Sequence, residues 1–338
     1  DALLAGNNVI LKPSEHTPLT SIFIKDLWDK AIGFKKAFTI VNGPGNIGEL
    51  LVNSKQIDII SFTGSTSVGK KIAKKCASTL KPLILELGGK DPMIILKDAD
   101  LHRATEAAIF GGFNNAGQAC ISVEEIFVEK EIFNSFCKKI KKRVVDMSSS
   151  NNDRDEIGSI ITKENYIKVS EHINEIDSSK IIQGNCSKEN MYIPPTIIIN
   201  PDIDNRVVNE ETFGPVISIR EFDNDQKMIN DIHHTGYGLS ASIFGKDKNR
   251  ISAIVRNIKT GNMSINDVFS HYGIASLPFG GEGFSGLGRL HGKEGLRSFC
   301  RVKSIVENKY SFLDDPWWFN KRKSMSKLLN KALDYYKW

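Results

Sequence analysis

No run of this chain stays apolar for the roughly 20 residues that span a bilayer, and no signal-peptide pattern opens it. Its five cysteines, Cys76, Cys120, Cys137, Cys186 and Cys300, include no CxxC pair and show no framework spacing. A secreted disulfide scaffold is thereby excluded, and a reducing, cytoplasmic setting is expected. The body of the chain also lacks an excess of either charge. From Trp317 to Trp338, six basic residues (Lys321, Arg322, Lys323, Lys327, Lys331, Lys337) face one acidic residue, Asp334, which accounts for the +5 of the whole chain. The folded body therefore carries no net basic excess, and nucleic acid is not expected as a partner.

What is present suits a soluble α/β protein. Its 338 residues, 40% apolar and 25% charged, are enough for two domains with a core each. The chain begins at Asp1, without a starting Met and inside what reads as an ongoing element, so an N-terminally truncated chain is expected. Residues 8–11 read as a short strand ending in Lys12-Pro13-Ser14-Glu15. Pro13 forbids its continuation as a central strand, and Ser14 or Thr17 can cap a helix over 21–31. Lys12 and Glu15 then sit at the carboxyl end of a strand, where open α/β sheets bind ligands. The plainer alternative is a surface pair on a turn.

Strands over 37–41 and 57–62 flank a helix over 47–52. The third strand runs into Thr63-Gly64-Ser65-Thr66-Ser67-Val68-Gly69-Lys70-Lys71 and a helix to Leu80. Strand, glycine turn and helix start make an anion site, because free N–H groups and the helix dipole converge there. Lys71 stands where a Walker A loop needs a Ser or Thr for magnesium, so phosphate binding is expected and nucleotide hydrolysis is not. The alternation argues a parallel sheet with right-handed crossovers.

Two stretches carry reactive groups. Residues 113–122, Phe-Asn-Asn-Ala-Gly-Gln-Ala-Cys-Ile-Ser, present one thiol, Cys120, among small and polar neighbours. A thiol becomes a strong nucleophile once N–H groups or a nearby cation stabilise its thiolate. Gly117 lets a substrate carbonyl approach the backbone beside that sulfur. Alone, such a cysteine is better read as an inert buried thiol. Glu86 lies in the apolar run 82–87, before Gly88-Gly89-Lys90. Desolvating that carboxylate as an anion costs free energy, so its pKa should rise toward the range of a general base. A structural ion pair with Lys or Arg is the even alternative.

Leu85-Glu86-Leu87-Gly88-Gly89-Lys90 and Asn115-Ala116-Gly117-Gln118-Ala119-Cys120 resemble the two active-site signatures of the NAD(P)-dependent aldehyde dehydrogenase superfamily. The resemblance continues in order along nearly the whole chain. Lys12-Pro13-Ser14-Glu15 is similar to the family's adenosine-ribose segment, and Phe62-Thr63-Gly64-Ser65-Thr66 with Gly69 to its pyrophosphate turn. Glu210-Glu211-Thr212-Phe213-Gly214-Pro215 resembles the segment on the nicotinamide side. Pro278-Phe279-Gly280-Gly281, Ser285-Gly286 and Gly288-Arg289 resemble the late glycine-rich loop of the substrate tunnel.

The resemblance implies an aldehyde-dehydrogenase-like α/β fold, a partial Rossmann-type parallel sheet followed by an α/β catalytic domain. It implies NAD-dependent oxidation of an aldehyde to an acid, with Cys120 as nucleophile through a thiohemiacetal and a thioester. Glu86 is then the base that activates the hydrolytic water, and the cationic nicotinamide helps to hold the thiolate. Lys12 and Glu15 would bond the adenosine ribose, Glu15 disfavouring NADP. Gly64, Ser65 and Gly69 would belong to the pyrophosphate turn, Glu211 would bond the nicotinamide ribose, Phe213 would pack near the ring, and Lys168 would lie on the adenosine side. For Phe213, ordinary core packing is the alternative. Relatives carry an upstream segment with further nucleotide-binding structure and an oxyanion-donating Asn, so the 338 residues alone are expected to be weakly active or inactive.

The expected layout is a cofactor-binding part over 1–87, a catalytic domain over 88–287, a return helix and oligomerisation strand over 288–316, and a tail over 317–338. Helices are read over 132–145 and 164–176, a polar loop over 148–155 and a surface excursion over 178–190. The strand over 301–306 resembles one that relatives add to a neighbouring subunit, implying a homodimer or homotetramer. In the tail, Met325, Leu328, Leu329, Ala332, Leu333 and Tyr336 fall at helical spacing, with Trp317, Trp318, Phe319 and Trp338 flanking. That tail suits a peripheral membrane contact or a cap on a partner subunit or its substrate tunnel, evenly. Two other functions stay open: an acylating dehydrogenase that passes the thioester to coenzyme A, against which Glu86 counts, and a non-catalytic assembly piece.

Overall fold

The computed structural model describes residues 1–152, 156–187, 191–309, 315, 318, 319 and 322–335. Asp1–Cys300 forms one compact unit and Arg301–Trp338 a second. In the first unit the dominant feature is a seven-stranded sheet, in the order Asn262–Ile265, Ser240–Phe244, Asp91–Ile95, Val123–Glu129, Val216–Phe222, Thr196–Ile199 and Ile181–Gln183. All neighbours run parallel except the last pair, which is antiparallel.

Alternating side chains feed two cores. Met93 and Ile95 pack with Ala104, Ala108, Phe133, Phe136 and Ile140 from the helices Leu101–Phe113 and Lys130–Val144. Ile94 and Leu96 pack on the other face with Ile229, Ile232, Ile251 and Ile254 from Asp225–His234 and Lys248–Asn257. Both faces are covered, so Asp91–Ile95 and Val123–Glu129 are buried at every residue. Continuous burial erases the alternation by which a strand is usually recognised, and these two strands, like Thr196–Ile199, are absent from the sequence-based expectations.

The first 87 residues are built differently. Val9–Leu11 pairs in parallel with Phe38–Ile40 as a separate two-stranded sheet. Ile60–Thr63 pairs in parallel with Leu83–Glu86, whose other edge takes Gly286–Leu287 antiparallel. The parallel alternation is present, but it falls into two small sheets. Among residues 1–82 only Pro13, Phe38, Gly69 and Cys76 are buried, and Leu19, Phe23, Phe34 and Leu80 are exposed.

Several boundaries differ from expectation. The first helix, Pro18–Ala31, starts from Thr17 without a side-chain cap, while the Ser14 hydroxyl accepts from the His16 N–H. The helix after the glycine turn ends at Ala77, and Leu80 takes a left-handed φ of 53°. The loop over 148–155 opens with the short strand Ser148–Ser149. The excursion over 178–190 contains the edge strand Ile181–Gln183, because its Ile pair can cover one side of Thr196–Ile199.

In the second unit, residues 301–308 pair with no described strand, and Val302, Ile305 and Val306 are exposed. Arg322–Tyr335 is a helix, as its apolar spacing requires. The expectations for Trp317, Lys321, Tyr336, Lys337 and Trp338 lie outside the described residues. No described helix is long and apolar enough to cross a membrane.

Candidate active site

Glu86 ends the strand Leu83–Glu86, and its backbone carbonyl accepts from the N–H of Gly64, which ties the glycine turn to it. The side chain is 4% exposed, and neither carboxylate oxygen has a hydrogen-bond partner. Burial pushes its pKa up to about 8, against a smaller opposing pull from the Arg289 guanidinium. Arg289 itself donates to Gly281, Gly288 and Glu282 rather than to Glu86. Glu86 is therefore no structural ion pair, and an orphaned carboxyl of this pKa can hold a proton or give it up near neutrality.

Cys120 lies between the helix Leu101–Phe113 and the strand Val123–Glu129, after a turn in which Asn115, Ala116 and Gly117 all have left-handed φ. It packs against a small cluster of Ile121, Leu239 and Phe279. Burial, and then the carboxylates of Asp91, Glu211 and Glu86, push the thiol up to about 12. The resting sulfur is thus protonated, and carboxylates rather than a cation surround it. A backbone hydrogen bond at Cys120 pulls the other way, more weakly. Gly117 also has a different use from the expected one, because it lies directly against the backbone of Gly214 rather than clearing space for a substrate.

Glu211 joins the same group. Its carboxylate accepts from the Gly89 N–H at 3.1 Å, and burial with the nearby Glu124 pushes its pKa up to about 7. Phe213 is half-buried and belongs to neither main core cluster. Its left-handed backbone, φ 57°, is held from both sides: its N–H donates to Glu124 and its carbonyl accepts from Asn165. Ordinary core packing does not explain that. Lys168, on the helix Lys163–Asn174, exerts its charge on Glu210 and Glu211.

The remaining expected residues form two further groups. Lys12 donates to the carbonyls of Pro13 and Gly43 and pairs with Glu15 at 3.3 Å. The Glu15 pKa is lowered by its own backbone N–H and then by Lys12. Ser65 is the N-cap of the helix Thr66–Ala77, its hydroxyl accepting from the Val68 N–H. No acidic residue stands in that first turn, which leaves the dipole and N–H groups open to a pyrophosphate. Gly69 serves packing: a Cβ there would stand 2.5 Å from the Leu87 side chain, so the helix closes onto the residue after Glu86. These features fit a dinucleotide.

Sequence reasoning missed the polar lattice beneath the site. Lys90 and Glu124 form a buried ion pair at 2.6 Å. Glu124 also accepts from the N–H groups of Thr212 and Phe213, and His172 Nδ1 lies 3.3 Å from the Thr212 hydroxyl. Asp91 is buried and accepts from both the N–H and the hydroxyl of Ser240. The signal was available: charged residues inside apolar strands, such as Glu124 and Glu125 between Val123 and Ile126, require buried partners. Among the described residues no cluster suited to a metal ion occurs.

One half-buried thiol, one unpartnered carboxyl and a helix start free of acidic residues are the features that this α/β protein offers for chemistry. Residues 1–305 match the aldehyde dehydrogenase family, and the chain belongs to that family. It is 35% identical over 319 residues to betaine aldehyde dehydrogenase of Bacillus subtilis, covering 91% of this chain and 64% of that protein. A crystal structure of a betaine aldehyde dehydrogenase from Staphylococcus aureus in complex with NAD+ superposes with a TM-score of 0.80 at 33% identity, covering 86% of this chain and 59% of that one. A structure described as a putative aldehyde dehydrogenase from Burkholderia cenocepacia gives a TM-score of 0.86 at 29% identity, with coverages of 90% and 66%. The chain thus spans less than two thirds of the length of these relatives.

Proposed function

We propose that this chain carries the catalytic centre of an NAD-dependent dehydrogenase that oxidises an aldehyde to a carboxylic acid. The observation that carries the reading is the Glu86 carboxyl, buried without a hydrogen-bond partner and among the charges that raise the Cys120 thiol. Residues 1–87 would hold the cofactor, with Lys12 and Glu15 at the adenosine ribose and Gly64 and Ser65 at the pyrophosphate. Gly69 would close the helix that starts there, Glu211 and Phe213 would stand toward the nicotinamide side, and Lys168 would lie on the adenosine side. Glu15 would repel a 2′-phosphate, which favours NAD over NADP. Residues 88–287 would supply the nucleophile.

The thiol releases its proton to solvent as sulfur bonds the aldehyde carbon, leaving an oxyanion to which the Cys120 N–H can donate a hydrogen bond. Bound NAD supplies a two-electron acceptor for hydride. As hydride departs, the carbonyl re-forms as a thioester on Cys120. Glu86, having released its proton, takes one from a water that attacks the thioester; the C–S bond breaks and the acid leaves. The balance is aldehyde, NAD+ and water to acid, NADH and one proton.

Rapid mixing with an aldehyde and NAD tests this. The 338 residues alone should turn over weakly at most, and in the whole protein that carries them Cys120→Ser should form no NADH while Glu86→Gln should accumulate a thioester detectable by mass on Cys120. NADH formation by Cys120→Ser at the wild-type rate would end the proposal. Acceleration by coenzyme A would instead favour the acylating alternative. We also infer a homodimer or homotetramer, supported by Val302, Ile305 and Val306, which are exposed on a segment with no described pairing. Sedimentation of the protein with and without Val302→Lys and Val306→Lys should show dissociation.

A further inference from the structure

The helix Arg322–Tyr335 presents two opposed faces. Met325, Leu328, Leu329, Ala332 and Leu333 recur at three- and four-residue intervals and form one stripe, whereas Lys323, Lys327 and Lys331 occupy the other side. The stripe is uncovered: Leu328, Leu329 and Leu333 are 62%, 54% and 68% exposed. Trp318 and Phe319, just before the helix, are exposed as well.

Charge decides what fits this face. The tail from 317 to 338 carries the whole +5 of the chain, while the body is neutral overall. A second tail would bring the same charge, and like charges set against each other oppose association. The neutral body of another copy offers no net attraction in compensation. An anionic surface offers both a complement for the lysines and an apolar layer for the leucines, and tryptophan favours the boundary between them. At 14 residues the helix spans about 21 Å along its axis, short of the roughly 30 Å hydrocarbon layer, so it can lie along a bilayer but not cross it.

We propose that residues 322–335, together with Trp318 and Phe319, bind the surface of a membrane containing anionic phospholipid, the leucine stripe entering the headgroup–acyl boundary and the lysines lying among the headgroups. The contact is independent of the dehydrogenase reading, since the test uses neither aldehyde nor NAD.

Flotation of the whole protein with vesicles of phosphatidylcholine, with and without phosphatidylserine, tests it. At low salt the protein should bind the phosphatidylserine vesicles at least about tenfold better, and added salt should release it. The combined change Lys323→Glu, Lys327→Glu and Lys331→Glu keeps a helix-compatible sequence and should abolish binding. Leu328→Asn with Leu329→Asn should abolish it as well. Absence of flotation, equal flotation with both vesicles, or unchanged flotation of the charge-reversed variant overturns the proposal. So does a lower sedimenting mass of the leucine variant without lipid alongside unchanged flotation, which would assign the stripe to another copy of the chain.

Discussion

A Cβ placed on Gly117 would stand 2.1 Å from the carbonyl oxygen of Gly214, so the thiol loop and the 210–215 segment lie backbone against backbone. Gly117 also has a φ of 69°, a region that costs an L side chain about 1 kcal/mol. This one contact couples the position of Cys120 to that of Glu211 and Phe213.

Gly117→Ala should therefore displace the sulfur more than it unfolds the protein. Acylation should slow by about a hundredfold, the order expected for a misplacement near 1 Å. Gly158→Ala, where a side chain meets nothing within 4 Å, is the control and should leave the rate unchanged. Single-turnover NADH formation reads both.

Glu86, with its pKa near 8, should impose a rise in thioester hydrolysis with pH that levels off above about 8. The same shift acts on stability. The folded carboxyl holds its proton more tightly than the unfolded one, so its contribution is full below the ordinary value of 4.5 and is lost as pH rises through about 8. Glu86→Gln should accordingly gain melting temperature over wild type at pH 9 and little at pH 4. An equal change at both pH values would contradict this.

Cys120, pushed up to about 12, should be alkylated slowly by iodoacetamide at neutral pH, and more slowly than the exposed Cys300. Addition of NAD should accelerate its alkylation selectively, because the bound cationic ring is the charge that this chain does not provide. Peptide mass mapping over time distinguishes the two thiols.

Lys90 and Glu124 should behave as a unit. Lys90→Met leaves a buried carboxylate without its cation and should cost about 3–5 kcal/mol, with loss of the Thr212–Phe213 anchor and of activity. Lys90→Met with Glu124→Leu should recover much of that stability but not the activity, since the N–H groups of Thr212 and Phe213 lose their acceptor. Urea unfolding and turnover, measured on the same preparations, separate the two effects.

Much of the site was legible because its chemistry is local in the chain. Glu86 before two glycines, Cys120 after Asn115-Ala116-Gly117, and Ser65 at a helix start are short-range patterns, and their neighbours along the chain carry the signal. The sheet was less legible. Asp91–Ile95 and Val123–Glu129 are buried on both faces and show no alternation, and Ile181–Gln183 becomes a strand only because Thr196–Ile199 offers it an edge. The lattice under the site was hidden for a related reason: Lys90 meets Glu124 across 34 residues and Asp91 meets Ser240 across 149.

The amino-acid order by itself determined the family and the amphipathic tail helix and singled out Cys120 and Glu86 as candidates, since each depends on residue type at short spacing. Tertiary structure alone decided that the thiol rests protonated, that Glu86 goes without a partner and that Gly117 serves a backbone contact. Those properties are set by desolvation and by the charges that packing brings close, and both come from segments far away along the chain.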